Sequence, residues 1–172
     1  MQISEIIKRR RSIRKFKPEG VVTDEQIKLL LEAAMLAPSA CNKRPWDFIV
    51  VQDREVMNKI AKIHPFARML KTASCAIVVT LKPNKLLGCA GEGMWQHDGG
   101  AAVQNMLLQA VEMNLGTCWC GLHPVKILMN KMRKLFDLPE KTIPFAVIAV
   151  GVPDEKEGSR GYYEEEKVKW VK

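Results

Sequence analysis

The sequence predicts a single globular domain that mixes α-helices with a few short β-strands. Of its 172 residues, 47% are hydrophobic and 27% are charged, which is typical of a chain that buries its own core. Two kinds of pattern predict the mixed fold: apolar residues that recur at helical spacing, and short runs rich in β-branched residues. Since no internal repeat or low-complexity segment interrupts them, residues 1–172 are expected to form one domain.

The first two helices are predicted near the amino terminus. One covers Ser4 to Arg10, and the isoleucines in and beside it are expected to face inward: Ile3, Ile6 and Ile7. The other begins at Thr23, because Thr followed three residues later by Gln26 is typical of a capping box. It is expected to run to about Ala37, where Pro38 ends it.

Three short runs rich in β-branched or aromatic residues are predicted to be strands: residues 46–52, 75–81 and 144–151. A loop, PSACNKRP, precedes the first of them. Helices are predicted from about Asp53 to Ile63, between the first two strands, and near Val125 to Phe136, before the third.

Residues 97–114, HDGGAAVQNMLLQAVEMN, are predicted to form a helix with small or apolar residues over most of its surface. Such a helix must be buried, either inside the domain or against another subunit. Gly116 is expected to follow its end.

The chain from Val152 onward is polar and ends in KVKWVK, whose alternation would suit a strand added to a sheet of this chain or of a neighbour.

Basic residues are concentrated near the amino terminus, where KRRRSIRKFK at positions 8–17 contains seven in ten. The chain has 27 Lys and Arg against 19 Asp and Glu, so without these seven the balance is 20 against 19. A local excess has three interpretations: a solvated charge run, a nucleic-acid contact, or a small phosphate site. Ile13 and Phe16 interrupt the run with apolar side chains, which favours a segment docked on the protein.

A phosphate site here would have to consist of side chains, because the sequence has neither GxGxxG after a strand nor GxxxxGK[ST]. Arg10, Ser12 and Arg14 occupy alternating positions and would project to one side of an extended segment. Two guanidinium groups flanking a hydroxyl match a phosphate monoester, since arginine binds oxygens in bidentate geometry and stays charged.

Other chemistry is only weakly indicated. His64, His97 and His123 lack metal-ligand spacing and are expected to be surface or core-edge residues, and Cys118-x-Cys120 lacks the spacing of a zinc site, so no metal is expected. No nucleophile motif such as GxSxG is present. An enzyme with an anion site and no visible acid, base or nucleophile would depend on a cofactor.

The sequence also bears on the setting of the protein. It contains no run of about 18 apolar residues and no secretory signal pattern, so a cytoplasmic protein without membrane association is expected. The five cysteines do not form a dense disulfide framework, and reduced thiols are expected.

Five stretches together resemble the signature regions of FMN-dependent nitroreductases, in the order of that family and over nearly the whole chain: RRSIRKF at 10–16, PSACNKRPWDFIVV at 38–51, GGAAVQNMLLQA at 99–110, GTCWCG at 116–121 and AVGVPDEKEGSRGYYEEEKV at 149–168. The resemblance is to the short branch of the family. It implies an α+β fold in which helices wrap a central, mostly antiparallel sheet. It also implies an intertwined homodimer with FMN at each interface, where residues 97–114 pack and residues 152–172 extend to the partner subunit.

The resemblance further implies which residues would hold FMN. The phosphate and the pyrimidine side of the ring would be bound by residues of the basic stretch: Arg10, Arg11, Ser12 and Arg14. Arg160 would complete the phosphate site from the tail. The ring would be approached across the interface by Pro38, Ser39 and Asn42, and would lie beside Cys118, Trp119 and Gly121. Two positions depart from the family pattern, with Arg44 in place of Gln and Gly158 in place of Lys.

By the same resemblance, the chain would use NADH or NADPH to reduce nitroaromatic, quinone or similar electrophilic acceptors, by ping-pong hydride transfer through FMN N5. No side chain would act as a catalytic acid or base, and residues 81–96 would line the substrate side. Two alternatives stay open: a flavin-binding sensor or carrier without turnover, and a nucleic-acid-binding domain that uses the basic stretch.

Overall fold

The structure, a computed structural model, describes residues 2–83, 93–155 and 161–172. This part of the chain contains five α-helices and one four-stranded sheet. The helices are α1 (Ile3–Arg9), α2 (Asp24–Met35), α3 (Arg54–Ile63), α4 (Trp95–Glu112) and α5 (Lys126–Leu135). The strands are β1 (Trp46–Val51), β2 (Cys75–Leu81), β3 (Gly116–Gly121) and β4 (Ile143–Gly151).

The sheet is antiparallel throughout, with the strand order β1-β2-β4-β3. All of β2 is buried, as is all of β4 except Ile143. Strands that are covered on both faces consist of continuous apolar runs, and this is why the sequence alone predicts β2 and β4 correctly. The α+β fold with helices around an antiparallel sheet is confirmed.

Two hydrophobic cores lie on opposite faces of the sheet. Helices α2 and α4 cover the face that carries Ile77 and Ile148. Helices α3 and α5 cover the face that carries Val78 and Val147. Because side chains alternate along a strand, neighbouring residues of β3 also belong to different faces, and this alternation arranges the candidate site described below.

The helix starts follow from their capping residues. The predicted capping box is confirmed, since Thr23 Oγ1 accepts from the Gln26 N–H over 3.2 Å and Gln26 Oε1 accepts from the Thr23 N–H over 3.0 Å. Helix α3 begins in a related way, with the Asp53 carboxylate accepting from the Val56 N–H over 2.8 Å. Both caps satisfy backbone donors that the first helical turn leaves unpaired.

Helix α4 is the longest described helix, with 18 residues. Its buried side includes Ala102, Met106 and Ala110, whereas Gln104 and Glu112 are exposed. Among the described residues, it is therefore covered on one side only. Neither α4 nor any other helix of the described residues is long and apolar enough to cross a lipid bilayer.

The structure departs from the sequence-based expectation in β3 and in α1. Strand β3 was not predicted, because GTCWCG has no β-branched run, and its pairing with β4 forms it. In α1 only Ile6 is buried, while Ile3 and Ile7 are 71% and 55% exposed. The described part of the tail contains one 3-10 helix, Glu165–Lys167, and adds no strand to the sheet of its own chain. A strand added to a neighbour's sheet stays a prediction.

Candidate functional site

The basic stretch is docked on the protein. Ser12 pairs with Thr117 of β3 in a parallel bridge, and the Ile13 N–H donates to the Thr117 carbonyl over 2.8 Å. Ile13 and Phe16 are each 3% exposed and lie in the core that α3 and α5 cover. The expectation of a docked segment is confirmed, and the interpretation as a free, solvated charge run is wrong.

Two glycines allow this close approach. A Cβ atom at Gly116 would lie 2.8 Å from Ile13 Cγ2, and one at Gly151 would lie 2.8 Å from Phe16 Cδ1. Carbon atoms do not pack that closely, so a side chain at either position would displace the docked segment. The ends of β3 and β4 therefore need glycine where the segment crosses them.

Docking leaves the polar side chains of the stretch near the surface. Of the residues predicted to bind FMN here, Arg14 is exposed and three are half-buried: Arg10, Arg11 and Ser12. The backbone N–H groups of Arg14 and Lys15 both point to Glu155 Oε1, at 2.6 and 3.4 Å. Since Glu155 follows β4 in the chain, these bonds tie the segment to the end of that strand.

Strand β3 carries the second group of predicted site residues. Cys118 and Cys120 are each 3% exposed and face the same core as Ile13. Trp119 faces the other way and is 36% exposed, and its ring lies 5.9 Å from that of Phe145, measured between centroids. Gly121, at the end of the strand, is exposed.

The two cysteines lie beside the polar groups of the docked segment. The neighbouring Cys120 thiol, the charge of Arg14 and the hydroxyl of Ser12 lower the pKa of Cys118 to about 7, against burial and the Glu155 carboxylate. The neighbouring Cys118 thiol, together with burial, raises the pKa of Cys120. The surroundings of Ser12 and Arg14 thus favour a negative charge.

His64 fixes the end of β3, a role that sequence analysis missed. It is 3% exposed. The Phe66 N–H donates to His64 Nδ1 over 3.1 Å, so the ring hydrogen is on Nε2, which donates to the Gly121 carbonyl over 2.9 Å. The Cys120 thiol donates to the Phe66 carbonyl over 3.4 Å. No local pattern signals this role, because His64 and Gly121 lie 57 positions apart.

The third group of predicted site residues lies on the loop between α2 and β1. Pro38 and Asn42 are exposed, and Ser39 is half-buried. Three residues of this loop have φ values in the left-handed region that favours glycine: Cys41 at 49°, Asn42 at 52° and Arg44 at 48°. Such conformations cost of order 1–3 kcal/mol each and are found where the surroundings enforce them, often at functional sites.

Hydrogen bonds hold this loop in its strained form. The Ala40 N–H donates to Asp98 Oδ1 over 3.0 Å, and the Arg44 N–H donates to Ser39 Oγ over 2.9 Å. The Arg44 guanidinium donates to the Met35 carbonyl at the end of α2 over 3.1 Å. Arg44, which departs from the Gln of the family pattern, is therefore hydrogen-bonded both within the loop and to the end of α2.

Asp98, which sequence analysis did not single out, is 5% exposed, and its Oδ2 is buried without a hydrogen-bond partner. It lies in the first turn of α4 and reaches the loop only through the tertiary fold.

The expectation that all cysteines are reduced is wrong for Cys41, which is disulfide-bonded. Cys75, Cys118 and Cys120 carry free thiols.

The structure thus brings Ser12 and Arg14 together with Cys118 and Cys120, whereas the hydrogen bonds described for the loop go to Asp98, to Met35 and within the loop. Arg160, Gly158 and most of the segment expected to line the substrate side lie outside the described residues. Among the residues that are described, no three His, Cys, Asp or Glu side chains are grouped so that they could hold a metal ion.

Comparison with known proteins shows which family this chain resembles over most of its length. The model of the "Nitroreductase family" matches residues 7–73 and 64–152. A protein of Methanothermobacter thermautotrophicus named "Putative NADH dehydrogenase/NAD(P)H nitroreductase" is 41% identical over 175 residues, which cover 99% of this chain and 88% of the relative. A solved structure of the same name from Parabacteroides distasonis is 38% identical, with a TM-score of 0.91 and coverage of 99% of this chain and 98% of that one.

A second solved structure, the "FMN-dependent Nitroreductase" of Clostridium difficile, is 30% identical, with a TM-score of 0.86 and coverage of 97% of this chain and 98% of that one. The regions matched by the family model include the docked basic segment, the strained loop and β3. This chain belongs to the nitroreductase family.

Proposed function

We propose that this protein is an FMN-dependent oxidoreductase that uses NADH or NADPH to reduce nitroaromatic, quinone or similar electrophilic acceptors. The observation that carries the proposal is the docking of the basic stretch on β3, which sets Ser12 and Arg14 beside GTCWCG. Membership of the nitroreductase family and the FMN dependence in the name of the Clostridium difficile relative support it.

The docked segment suits the phosphate end of FMN. One arginine guanidinium can bind two phosphate oxygens at once, and it stays charged. The charge of Arg14 already favours an anion at Cys118. The residues proposed to hold the phosphate and the pyrimidine side of the ring are Arg10, Arg11, Ser12 and Arg14. Arg160 would complete the phosphate site from the tail.

The open edge of β3 suits the flavin ring. The Thr117 carbonyl accepts from Ile13 and the Gly121 carbonyl accepts from His64, so both point away from β4. Since backbone groups alternate along an antiparallel strand, the N–H and carbonyl of Trp119 face this same edge, between the two attachments. We propose that the ring lies along this edge, in contact with Cys118, Trp119 and Gly121.

The chain's own residues would position and tune the cofactor. When bound, FMN would supply the centre that accepts a hydride and passes it on. Arg14 keeps its positive charge and would stabilise negative charge on the reduced ring, which raises its reduction potential. Asn42 offers both a donor and an acceptor to the ring. No side chain would serve as acid or base, and the nicotinamide would leave before the acceptor enters, as in a ping-pong scheme.

We propose a homodimer, in which Pro38, Ser39 and Asn42 of each chain reach the other chain's flavin. The face formed by α1, α2 and α4 supports this, because three exposed apolar residues line a cavity of about 400 Å³ there: Ile3, Leu29 and Leu36. The tail adds further exposed apolar side chains: Tyr162, Tyr163, Trp170 and Val171. A second copy would cover both surfaces, with residues 152–172 as an extension of a single domain.

The test is an anaerobic titration of the purified protein with NADH and, separately, NADPH, followed by visible absorption. The proposal expects a yellow protein that bleaches with at least one nucleotide and regains its absorbance when a quinone is added. Initial rates at several acceptor concentrations should give parallel reciprocal plots against nucleotide concentration. A yellow protein that never bleaches would instead be a sensor or carrier. A colourless protein that takes up no FMN would contradict the cofactor assignment and favour the nucleic-acid interpretation.

A further inference from the structure

Helices α3 and α5 carry a second concentration of positive charge, on the far side of the sheet from α2 and α4. A groove between these two helices has a volume of about 360 Å³ and is lined by Lys59, Lys62, Ile63, Lys131, Lys134 and Leu135. A recess of about 520 Å³ shares Lys62 and Ile63 with it and adds Arg68 and Lys71. The groove and the recess together are called the basic groove below.

Six basic side chains line the basic groove, and all are exposed: Lys59, Lys62, Arg68, Lys71, Lys131 and Lys134. No Asp or Glu of the described residues lines it. Within the described part of the chain, none of the six forms an ion pair, not even with Glu55 or Asp137 on either side in the sequence. Without these six and the seven of the basic stretch, 14 Lys and Arg remain against 19 Asp and Glu. The positive charge is therefore concentrated at two separate places.

The floor of the basic groove is apolar. Ile63 and Leu135 are half-buried and pack against the core that α3 and α5 cover. The lysines add the methylene stems of their side chains to the walls, and their ammonium groups can stay in water at the rim. An apolar floor with a cationic rim is complementary to an apolar side chain that is surrounded by carboxylates.

We propose that the basic groove binds an acidic amphipathic helix of a partner protein. Such a helix would place an apolar side chain between Ile63 and Leu135, and its carboxylates at the lysines of α3 and α5, as other helices dock into grooves. A nucleic acid would gain little from the floor, because no aromatic side chain of the described residues lines it for bases to stack on. A flat anionic membrane would meet the charges but not the recessed floor.

The basic groove is separate from the other proposed surfaces. The surface assigned to a second copy is formed by α1, α2 and α4, so a homodimer would leave the basic groove open. Ile63 is followed directly by His64, whose Nε2 donates to the Gly121 carbonyl. The groove thus begins one residue from a contact to the edge of β3 that the flavin ring is proposed to occupy. Binding of the helix does not require the flavin, so it can be tested with and without FMN.

The probe is a fluorescein-labelled amphipathic peptide with leucines along one helical face and glutamates elsewhere. Its fluorescence anisotropy with the full chain should show saturable binding in about 50 mM NaCl, which weakens at least about fivefold in about 300 mM, since salt screens exposed charges. A peptide with Gln at every Leu position should bind at least about tenfold more weakly, because nothing fills the apolar floor. A peptide with Lys at every Glu position should not bind.

Cross-linking locates the peptide on the protein. A carbodiimide joins carboxylates to the amines that they contact, and mass spectrometry identifies the lysines. The cross-links should concentrate on the four lysines of α3 and α5 that line the groove: Lys59, Lys62, Lys131 and Lys134. Adding FMN should leave the peptide affinity unchanged, whereas competition by FMN would place the peptide on the basic stretch and overturn the proposal.

Two double variants separate the groove from general charge attraction. Lys62→Gln/Lys131→Gln should weaken the peptide at least about fivefold. Lys126→Gln/Lys141→Gln removes the same charge from exposed positions outside the groove and should change the affinity less than about twofold. Far-UV circular dichroism and melting temperatures check that both variants are folded.

Three results would overturn the proposal. Equal losses in the two double variants, or cross-links spread over the exposed lysines of the whole chain, would indicate attraction to net charge alone. An unchanged affinity of the Gln-substituted peptide would show that the apolar floor is not used. Tighter binding of a DNA duplex or of phosphatidylserine vesicles than of the peptide, lost in Lys62→Gln/Lys131→Gln, would assign the groove to that partner instead.

Discussion

The backbone N–H of Arg14 donates to the Glu155 carboxylate over 2.6 Å, although the two residues lie 141 positions apart. This bond fixes the docked segment where it leaves β3, but it also sets a negative charge beside a site that we assign to an anion. The two effects can be separated by substitution. Glu155→Ala removes both the hydrogen bond and the charge, whereas Glu155→Gln keeps an acceptor and removes only the charge.

Glu155→Ala should loosen the segment and weaken FMN binding by about tenfold, since a hydrogen bond to a charged group contributes roughly 1.5–3 kcal/mol. Glu155→Gln should bind FMN as well as the unchanged protein or better, because a nearby like charge is gone. Quenching of FMN fluorescence on titration measures both affinities. Equal weakening in the two variants would show that the charge, rather than the hydrogen bond, matters.

The close approach of Ile13 to β3 makes Gly116 sensitive to substitution. Gly116→Ala should lower the free energy of unfolding by about 1–3 kcal/mol, because the new methyl group would overlap Ile13. Gly100→Ala is the matched control in helix α4, where the nearest atom would be 4.0 Å away, and it should be neutral or stabilising by up to about 1 kcal/mol. Urea denaturation measures both. Similar stabilities for the two variants would contradict the tight contact.

Asp98 is expected to hold the strained loop through the Ala40 N–H. Asp98→Ala should cost about 1–3 kcal/mol of stability, because it leaves a backbone donor unsatisfied. Asp98→Asn keeps the accepting oxygen and should stay within about 1 kcal/mol of the unchanged protein. If the loop serves the flavin, only the alanine variant should also lose FMN affinity. Asparagine and alanine variants that behave alike in urea would argue against the hydrogen bond.

The buried Cys75 thiol predicts a loss of stability at alkaline pH. Its pKa is raised by burial from 9.0 to about 12, so the folded state holds the proton more tightly than the unfolded state. The stabilisation is complete below about pH 9 and is lost as pH rises toward 12, by up to about 1.4 kcal/mol per pH unit. Cys120, whose pKa is also raised, acts in the same direction.

In urea denaturation, the free energy of unfolding of Cys75→Ala should therefore decline less steeply between pH 9 and 10.5 than that of the unchanged protein. A pH-independent cost of the substitution would not alter this slope. Cys118→Ala is the contrasting control, because a lowered pKa contributes stability that grows between about pH 7 and 9 and is lost on acidification through pH 7. An unchanged alkaline slope in Cys75→Ala would contradict the assigned shift.

Local sequence signals predicted the elements that depend on local physics. The capping box at Thr23 located the start of α2, and continuous apolar runs located β2 and β4. Strand β3 was missed because it depends on pairing with β4 rather than on its own residues. The exposure of Ile3 and Ile7 was missed because helical periodicity does not say which partner covers a face.

The same distinction applies to the candidate site. Alternation marked Arg10, Ser12 and Arg14 as one group, and chemistry suggested an anion. Asp98 and His64 escaped notice because their roles depend on backbone groups 58 and 57 positions away. Such long-range hydrogen bonds leave no pattern in the neighbouring sequence, so they emerge only from the fold.

The central claim is that the docked basic segment is the FMN site, and the most direct test is the FMN affinity of Arg10→Ala/Arg14→Ala. Lys15→Ala/Lys17→Ala is the matched control, because it removes the same charge from exposed positions of the same segment. We expect the arginine variant to lose at least about a hundredfold in affinity, or ~2.7 kcal/mol, and the lysine variant to change only a few-fold. Wild-type affinity in the arginine variant, or equal losses in the two, would contradict the claim.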